Sequence, residues 1–196
     1  MTVNSARYER ALVGFGSIVA QASADSWSSQ SPCSEWTARH VVGHVIAVQH
    51  AIAATINGNR PPMNPMKEPD RFAGDDPVTT WLEAAATVRA AIANTDIEGH
   101  RVTMWRGEMT VDEMLGYNIG DTTIHTWDLA RALGVDDSLD PDLVEAALEL
   151  YEPIADTMRA PNVFADLVDV NADADPQTRL LALVGRSRRI YWPGRT

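Results

Sequence analysis

The 196-residue sequence has a single cysteine, few basic residues relative to acidic ones, and no long apolar run. One cysteine, Cys33, cannot form an internal disulfide, which favours a reducing compartment such as the cytoplasm. With 16 Lys and Arg against 27 Asp and Glu, the net charge of −11 provides no basic footprint for nucleic acid. No apolar run approaches the roughly 20 residues that a membrane span requires, and the N-terminus lacks the apolar core of a signal peptide. We therefore expect a cytoplasmic protein that binds neither nucleic acid nor membrane.

The composition is that of an ordinary globular protein, with 45% hydrophobic and 22% charged residues. At about 150 residues per domain, a chain of this length predicts one domain. Such a chain buries enough surface to fold without a disulfide or a structural metal.

Apolar residues at helical spacing, interrupted by glycine and proline, predict a mainly all-α chain. Asp76 before Pro77 is typical of a helix start, and Thr110 followed by Glu113 three residues later is typical of a capping box. Gly134 is typical of a helix end. The predicted helices cover residues 6–21, 37–57, 77–94, 110–133 and 141–159.

Shorter elements are predicted between and after these helices. The proline-rich segment 59–75 is a loop, and 101–109 is a short extended piece that suits a hairpin around residues 105–107. A strand is predicted over 163–170 and a short terminal helix over 176–184. Four long helices favour an antiparallel four-helix bundle. We expect this bundle to cover residues 1–160, with a short C-terminal extension, 161–196, that packs on the same domain.

The fourth predicted helix carries the first candidate metal ligands. Bundle proteins build metal and cofactor sites from side chains that point into the core between facing helices. At about 100° per residue, Asp121 and His125 lie on one face of this helix, one turn apart. A carboxylate and an imidazole so placed can chelate one ion, although a hydrogen bond between them that only supports the helix is the alternative.

The second predicted helix supplies a third candidate. His40 and His44 lie near its apolar stripe, whereas His50 faces the opposite side and is expected to be solvated. Either of the first two, together with Asp121 and His125, makes a set of two histidines and one carboxylate. Three protein ligands leave a coordination position open, as in catalytic zinc sites. The ligand types suit zinc, iron, nickel or manganese, so the spacing leaves both the metal and the choice between His40 and His44 open.

Other candidate residues are less specific. Asp128 either orients His125 from behind or pairs with Arg131 at the surface. Cys33 precedes a helix, whose dipole can lower a thiol pKa, but the sequence names no basic partner and a nucleophilic role is not favoured. The six tryptophans are interpreted as packing groups. A solvated tail is the default interpretation of the arginines near the C-terminus, Arg186, Arg188 and Arg189, and contact with an anionic ligand or a partner is the alternative.

Two segments resemble a known family. Residues 32–44 read PCSEWTARHVVGH and resemble the second-helix signature P-C-x-x-W-(S/T)-x-R-x-(L/V)-x-x-H of DinB-like proteins related to mycothiol-dependent maleylpyruvate isomerase. Residues 121–134 resemble that family's second signature, (E/D)-x-x-x-H-x-W-D-L-A-R-A-x-G. In the family, the histidine that ends the first signature and the carboxylate and histidine of the second bind a metal. The resemblance therefore implies that His44, rather than His40, joins Asp121 and His125.

The resemblance also implies a function. It predicts a DinB-like bundle with one divalent metal, expected to be zinc, and an enzyme that uses mycothiol or another small thiol to isomerise or transfer a small-molecule substrate. Aspartate stands at position 121 where the isomerase usually has glutamate, and a short extension follows the bundle where the isomerase has a larger C-terminal domain. The alternatives are a metal-dependent hydrolase, a non-catalytic module that either binds metal or dimerises, and a metal-free core. The protein partner considered is a second copy of the chain, in a homodimer. The sequence assigns no general base.

Overall fold

The computed structural model describes residues 1–33, 35–60, 64–104, 107–159 and 163–188. It is mostly helical, which confirms the prediction of a mainly all-α chain. The four longest helices are α1 (Val3–Val19), α2 (Ala38–Ile56), α3 (Pro77–Ala93) and α4 (Val111–Leu133). Three shorter helices follow, namely α5 (Pro141–Tyr151), α6 (Ala155–Arg159) and α7 (Pro176–Leu183). Short 3-10 helices cover Ala24–Ser28, Pro69–Ala73 and Glu152–Ile154.

The ends of α3 and α4 follow the capping signals in the sequence. The Thr110 side chain accepts a hydrogen bond from the Glu113 backbone, and the Glu113 carboxylate accepts one from the Thr110 backbone. Asp76 accepts from the Val78 backbone ahead of α3. Gly134 ends α4 with φ of 71°, a left-handed conformation that favours glycine.

The long helices enclose the larger hydrophobic core. In this first core, α1 packs against α4, α2 packs against α3, and α2 also contacts α4. The rings of Phe15 and Trp81 meet edge to face, with centroids 4.8 Å apart, and join α1 to α3. The apolar stripes of α1 and α2 therefore face inward, as helical spacing requires.

A second core lies on the other side of α4. Trp127 of α4 is fully buried there, together with apolar side chains of α5, α7 and the segment after α6. The Tyr151 hydroxyl donates to the Tyr117 carbonyl oxygen at 2.7 Å and fixes the end of α5 against α4. Gly120 makes this contact possible, because a Cβ atom there would lie 2.5 Å from the Tyr151 ring. α4 therefore contributes side chains to both cores.

The predicted hairpin is present. β1 (Arg101–Met104) pairs antiparallel with β2 (Gly107–Thr110), with Arg101 opposite Thr110 and Met104 opposite Gly107. Residues 105 and 106, predicted at its turn, lie outside the described residues. None of the helices in the described part of the chain is both long and apolar enough to span a bilayer.

Two predictions about the C-terminal part are wrong. Residues 163–170 form no strand, because within the described chain no neighbouring strand offers them a ladder; Val168 instead donates its backbone N–H to the Ala182 carbonyl. The predicted fifth helix is interrupted after Tyr151, where a 3-10 turn contains Pro153. Proline has no N–H to donate, so the regular helical ladder is lost at this point.

Candidate metal centre

His44 points from α2 toward α4, and two features fix its position. Gly43 lets the 3-10 helix Pro69–Ala73 lie directly on α2, since a Cβ atom there would be 2.0 Å from the Pro69 carbonyl oxygen. His44 Nδ1 lies 3.2 Å from the Pro65 carbonyl oxygen. A carbonyl can only accept, so this hydrogen bond places the ring proton on Nδ1 and leaves the lone pair of Nε2 free.

Asp121 and His125 meet His44 from α4. Asp121 Oδ1 lies 3.5 Å from His44 Nε2 and 3.7 Å from His125 Nε2. One ligand atom from each of the three residues lies within 4.8 Å of the others. The structure therefore brings together the three residues that the family resemblance implied.

The other two candidate histidines of α2 lie elsewhere. His40 turns back to the start of α2, where its Nδ1 accepts the Thr37 backbone N–H at 3.2 Å. His50 is half-buried and does not belong to the cluster. Within the described residues, no fourth histidine, cysteine, aspartate or glutamate joins His44, Asp121 and His125.

Asp128 lies behind His125. Its carboxylate is fully buried, and Oδ2 lies 3.0 Å from His125 Nδ1. Arg131, the partner considered from sequence, pairs with Asp137 at 3.1 Å. The contact with His125 is therefore the one that forms, and it has the carboxylate–histidine arrangement that commonly orients metal-binding imidazoles.

The interpretation of the C-terminal arginines as a solvated tail is wrong for Arg186. Its side chain is 11% exposed, and Nη2 lies 3.0 Å from Asp128 Oδ2. The reason is the turn after α7: Gly185 has φ of 80° and sends the chain back toward α4. Arg188 is more exposed and lies near Asp137 and Asp175, while residue 189 falls outside the described chain.

Trp36 covers both histidines, a role that the interpretation as a packing group did not predict. Its ring stacks on His125 with centroids 5.9 Å apart and an angle of 25°, and lies 5.2 Å from the His44 ring. A tryptophan just ahead of a helix whose second turn carries a ligand is the sequence signal that could have indicated this contact.

Cys33 lies near the same site, but its thiol is in the protonated form, which is a poor nucleophile. Burial raises the pKa of its thiol to about 11, and Arg186, with Nη2 3.5 Å from the sulfur, only partly opposes this. The thiol is therefore protonated at neutral pH. The structure agrees with the sequence-based view that a nucleophilic role is not favoured.

A cavity of about 620 Å³ opens in front of the three candidate ligands. Trp36 and Arg186 line one part of it, while Met158, Phe164 and Val184 bring apolar walls from the second core. This volume is in the range of small-molecule binding sites. The candidate ligands are therefore open to a molecule from solution.

The charges at the site favour an ionised aspartate. Burial alone would raise the pKa of Asp121, but its interactions with the His44 and His125 rings and with Arg186 outweigh burial and lower the pKa to about 2. Two buried atoms that belong to these residues, His44 Nε2 and Asp121 Oδ2, have no hydrogen-bond partner in the described structure. Buried polar atoms without partners are costly, and a bound cation is one kind of partner that lone pairs of this type accept.

Comparison with known proteins identifies the family. Residues 8–130 match the mycothiol maleylpyruvate isomerase N-terminal domain. The chain belongs to this family. The expected DinB-like relationship is therefore confirmed, and the matched range includes His44, Asp121, His125 and Asp128 but ends before Arg186.

The similar proteins cover most of the chain. The uncharacterized proteins MT0763 and Rv0738 of two Mycobacterium tuberculosis strains are each 28% identical over 184 residues, which cover 93% of this chain and 97% of the relative. The crystal structure of the mycothiol-dependent maleylpyruvate isomerase is 17% identical with a TM-score of 0.55, covering 76% of this chain and 70% of that one. A variant of that enzyme with one histidine replaced by alanine is 18% identical with a TM-score of 0.59, covering 86% and 78%. At these identities the two crystal structures establish a shared fold.

Proposed function

We propose that this protein binds one divalent metal, zinc, through His44, Asp121 and His125. The observation that carries the proposal is the convergence of the three ligand atoms within 4.8 Å, with two of their buried polar atoms unpartnered. The donor set fits the metal, because two imidazoles and one carboxylate are common zinc ligands. Two of the three side chains also have the form that a ligand needs: Asp121 is ionised, and His44 carries its proton on the nitrogen that faces away from the site.

We propose further that the site is catalytic and acts on a small molecule. Three protein ligands beside a cavity of about 620 Å³ are typical of catalytic zinc sites, whereas structural sites are closed by a fourth protein ligand. When bound, the metal would supply a Lewis acid that favours the deprotonated form of a thiol or water. The chain's own residues line the space for the reacting molecule, with Trp36 over the histidines and apolar walls from the second core.

The reacting partner that we propose is a small thiol, used in an isomerase or transferase reaction. The solved relative is a mycothiol-dependent maleylpyruvate isomerase, and mycothiol is therefore the first thiol to test. The protein's own cavity thiol, Cys33, is held protonated with a pKa of about 11. We therefore propose that the nucleophilic sulfur comes from a molecule that enters the cavity. The compartment that we propose is a reducing one, the cytoplasm.

Metal content tests the first part of this proposal. We expect the native protein to bind one equivalent of Zn²⁺ by elemental analysis after dialysis, and the His44→Ala/His125→Ala variant to bind close to none. His50→Ala, which alters a histidine of the same helix outside the cluster, is the matched control and should retain the metal. Equal, near-zero metal in the native protein and the double variant would refute the site.

Thermal unfolding with added thiols tests the second part. A thiol that binds only the folded, metal-loaded protein raises the midpoint of unfolding by mass action. We expect mycothiol to raise the unfolding midpoint of the Zn²⁺ form and not that of the His44→Ala/His125→Ala variant. Turnover assays with maleylpyruvate then test for the reaction. If no thiol changes the midpoint of the Zn²⁺ form, the thiol-dependent function is wrong, and hydrolysis of a small-molecule substrate becomes the alternative to assay.

A further inference from the structure

Arg186 reaches the candidate metal centre from a part of the chain that the family match does not include. The matched range ends at residue 130, while Arg186 follows the turn after α7. Its guanidinium contacts both oxygens of Asp128, with Nη2 3.0 Å from Oδ2 and Nε 3.4 Å from Oδ1. Nη1 also donates to the Val184 carbonyl at 2.9 Å, so the guanidinium is itself held in place.

This pairing fixes the orientation of the Asp128 carboxylate. A planar guanidinium that contacts both oxygens sets the plane of the carboxylate as well as its position, which an ammonium group cannot do. Asp128 is fully buried, so water does not compete for its oxygens. Oδ2 is consequently presented to His125 Nδ1 at 3.0 Å.

The orientation of Asp128 in turn determines which nitrogen of His125 is free. An ionised carboxylate only accepts hydrogen bonds, so the proton of the neutral ring lies on Nδ1. Nε2 then faces Asp121 Oδ1, 3.7 Å away, with its lone pair available. The chain from Arg186 through Asp128 to His125 therefore ends at a candidate ligand atom.

We propose that Arg186 is a positioning residue that acts through Asp128 to hold His125 in its metal-binding tautomer and orientation. The expected effect on Zn²⁺ affinity rests on the proposed metal site. The orientation of His125 does not, because the metal-free chain has it as well. The alternative is that Arg186 serves only to neutralise a buried carboxylate and tie the C-terminal segment to α4.

Metal affinity gives the first test, measured with Zn²⁺ by competition with a chromophoric chelator. Loss of a group that orients a metal-binding histidine commonly lowers affinity by about 10- to 100-fold, and we expect this loss for Arg186→Gln. Arg186→Lys keeps the charge and should retain part of the affinity. Arg188→Gln, which removes the same charge at a more exposed position two residues away, is the matched control and should bind Zn²⁺ as the native protein does.

A double-variant cycle tests whether Arg186 acts through Asp128. In an Asp128→Asn background, Arg186→Gln should lower Zn²⁺ affinity no further, because the oriented carboxylate is already gone. This double variant carries no unpaired buried charge, so its folding is not destabilised by one. Its Zn²⁺ affinity therefore reports on the site and not on a folding defect. If the two losses add in full, Arg186 acts independently of Asp128 and the proposal is wrong.

The tautomer of His125 gives a second test that needs no metal. Long-range ¹H–¹⁵N spectra of the metal-free protein at alkaline pH, where imidazoles are neutral, identify the protonated ring nitrogen. We expect the Nδ1–H form of His125 in the native protein and a mixture of both tautomers in Arg186→Gln. His40, whose Nδ1 accepts from Thr37, is the internal reference and should remain in the Nε2–H form in every variant.

The two measurements separate this proposal from the proposed function. If the native protein binds no Zn²⁺ but the His125 tautomer changes in Arg186→Gln, the function is wrong and the positioning role stands. If Zn²⁺ binds and both the affinity and the tautomer are the same in Arg186→Gln as in the native protein, the positioning role is wrong and the metal site stands.

Discussion

The two hydrophobic cores on either side of α4 differ in how they are built. The first core joins long helices whose apolar residues repeat with helical periodicity, and an aromatic pair such as Phe15 and Trp81 packs between them. The second core gathers short helices and irregular segments around Trp127, including Phe164, whose neighbours 165–170 have no regular structure. The candidate metal ligands lie where the two cores meet, on α2 and α4.

This difference suggests a division of roles. The first core sets the backbone positions from which His44, Asp121 and His125 project, because long packed helices hold side chains at defined distances. The second core provides the cavity wall and Arg186, which comes from a turn rather than from a helix. Changes to the first core should therefore act mainly on stability, and changes to the second mainly on the site.

The largest expected effect comes from opening a void in the first core. Phe15→Ala removes a fully buried ring that contacts Trp81, and such substitutions cost about 3–5 kcal/mol in the free energy of unfolding. Urea denaturation of the metal-free protein measures this loss. Zn²⁺ affinity of the fraction that remains folded should be unchanged; a specific loss of affinity would contradict the division of roles.

A substitution in the turn before Arg186 should have a smaller effect on the free energy of unfolding and should also affect the candidate metal site. Gly185→Ala places a Cβ atom 2.5 Å from the Ala165 Cβ in a left-handed conformation, for a combined cost of about 2–4 kcal/mol. Gly134→Ala is the matched control, because Gly134 is also left-handed but has open space around it, and it should cost only about 1 kcal/mol.

Zn²⁺ binding distinguishes these two glycine variants. Gly185→Ala should weaken binding, since Arg186 follows directly in the chain, whereas Gly134→Ala should leave it unchanged. Equal Zn²⁺ affinity in both variants would mean that the turn after α7 contributes to the fold alone.

The smallest of these effects is a pH dependence. Because the pKa of Asp121 in the metal-free fold is about 2, below its ordinary value of 3.8, its ionised form stabilises the fold above about pH 4. This contribution of about 2 kcal/mol is lost as pH falls through the folded pKa, where the carboxylate becomes protonated in both states. Asp121→Asn should therefore unfold with a weaker pH dependence between pH 4 and pH 2, as measured by acid titration of circular dichroism. An identical acid transition in both proteins would exclude this stabilisation.

The sequence predicts the helical scaffold well because helix signals are local. Capping residues such as Thr110 and Glu113 act within four residues of one another, and apolar periodicity sets which face is buried. The pairing of Asp121 with His125 follows from the same periodicity. The choice of His44 over His40 needed the family resemblance, because both lie near the apolar stripe of one helix.

The part that the sequence did not predict depends on contacts between distant segments. Arg186 and Asp128 are 58 residues apart, and nothing near Arg186 in the sequence indicates a buried partner. The strand predicted at 163–170 failed for a related reason, since a strand needs a neighbour that local apolar content cannot supply. Trp36 was assigned to packing, and only the fold places its ring over two histidines.

The two histidines of the site differ in the kind of group that accepts a hydrogen bond from their Nδ1 atoms, and therefore in which sequence changes remove that acceptor. His125 depends on the Asp128 side chain, so a substitution at position 128 removes its partner. His44 is held by the backbone carbonyl of Pro65, and a carbonyl is present whatever residue occupies that position. Substitutions at position 65 therefore preserve the acceptor, whereas an insertion or deletion between residues 57 and 69 would displace it. One half of the site is encoded by residue identity, and the other by the length and path of a loop.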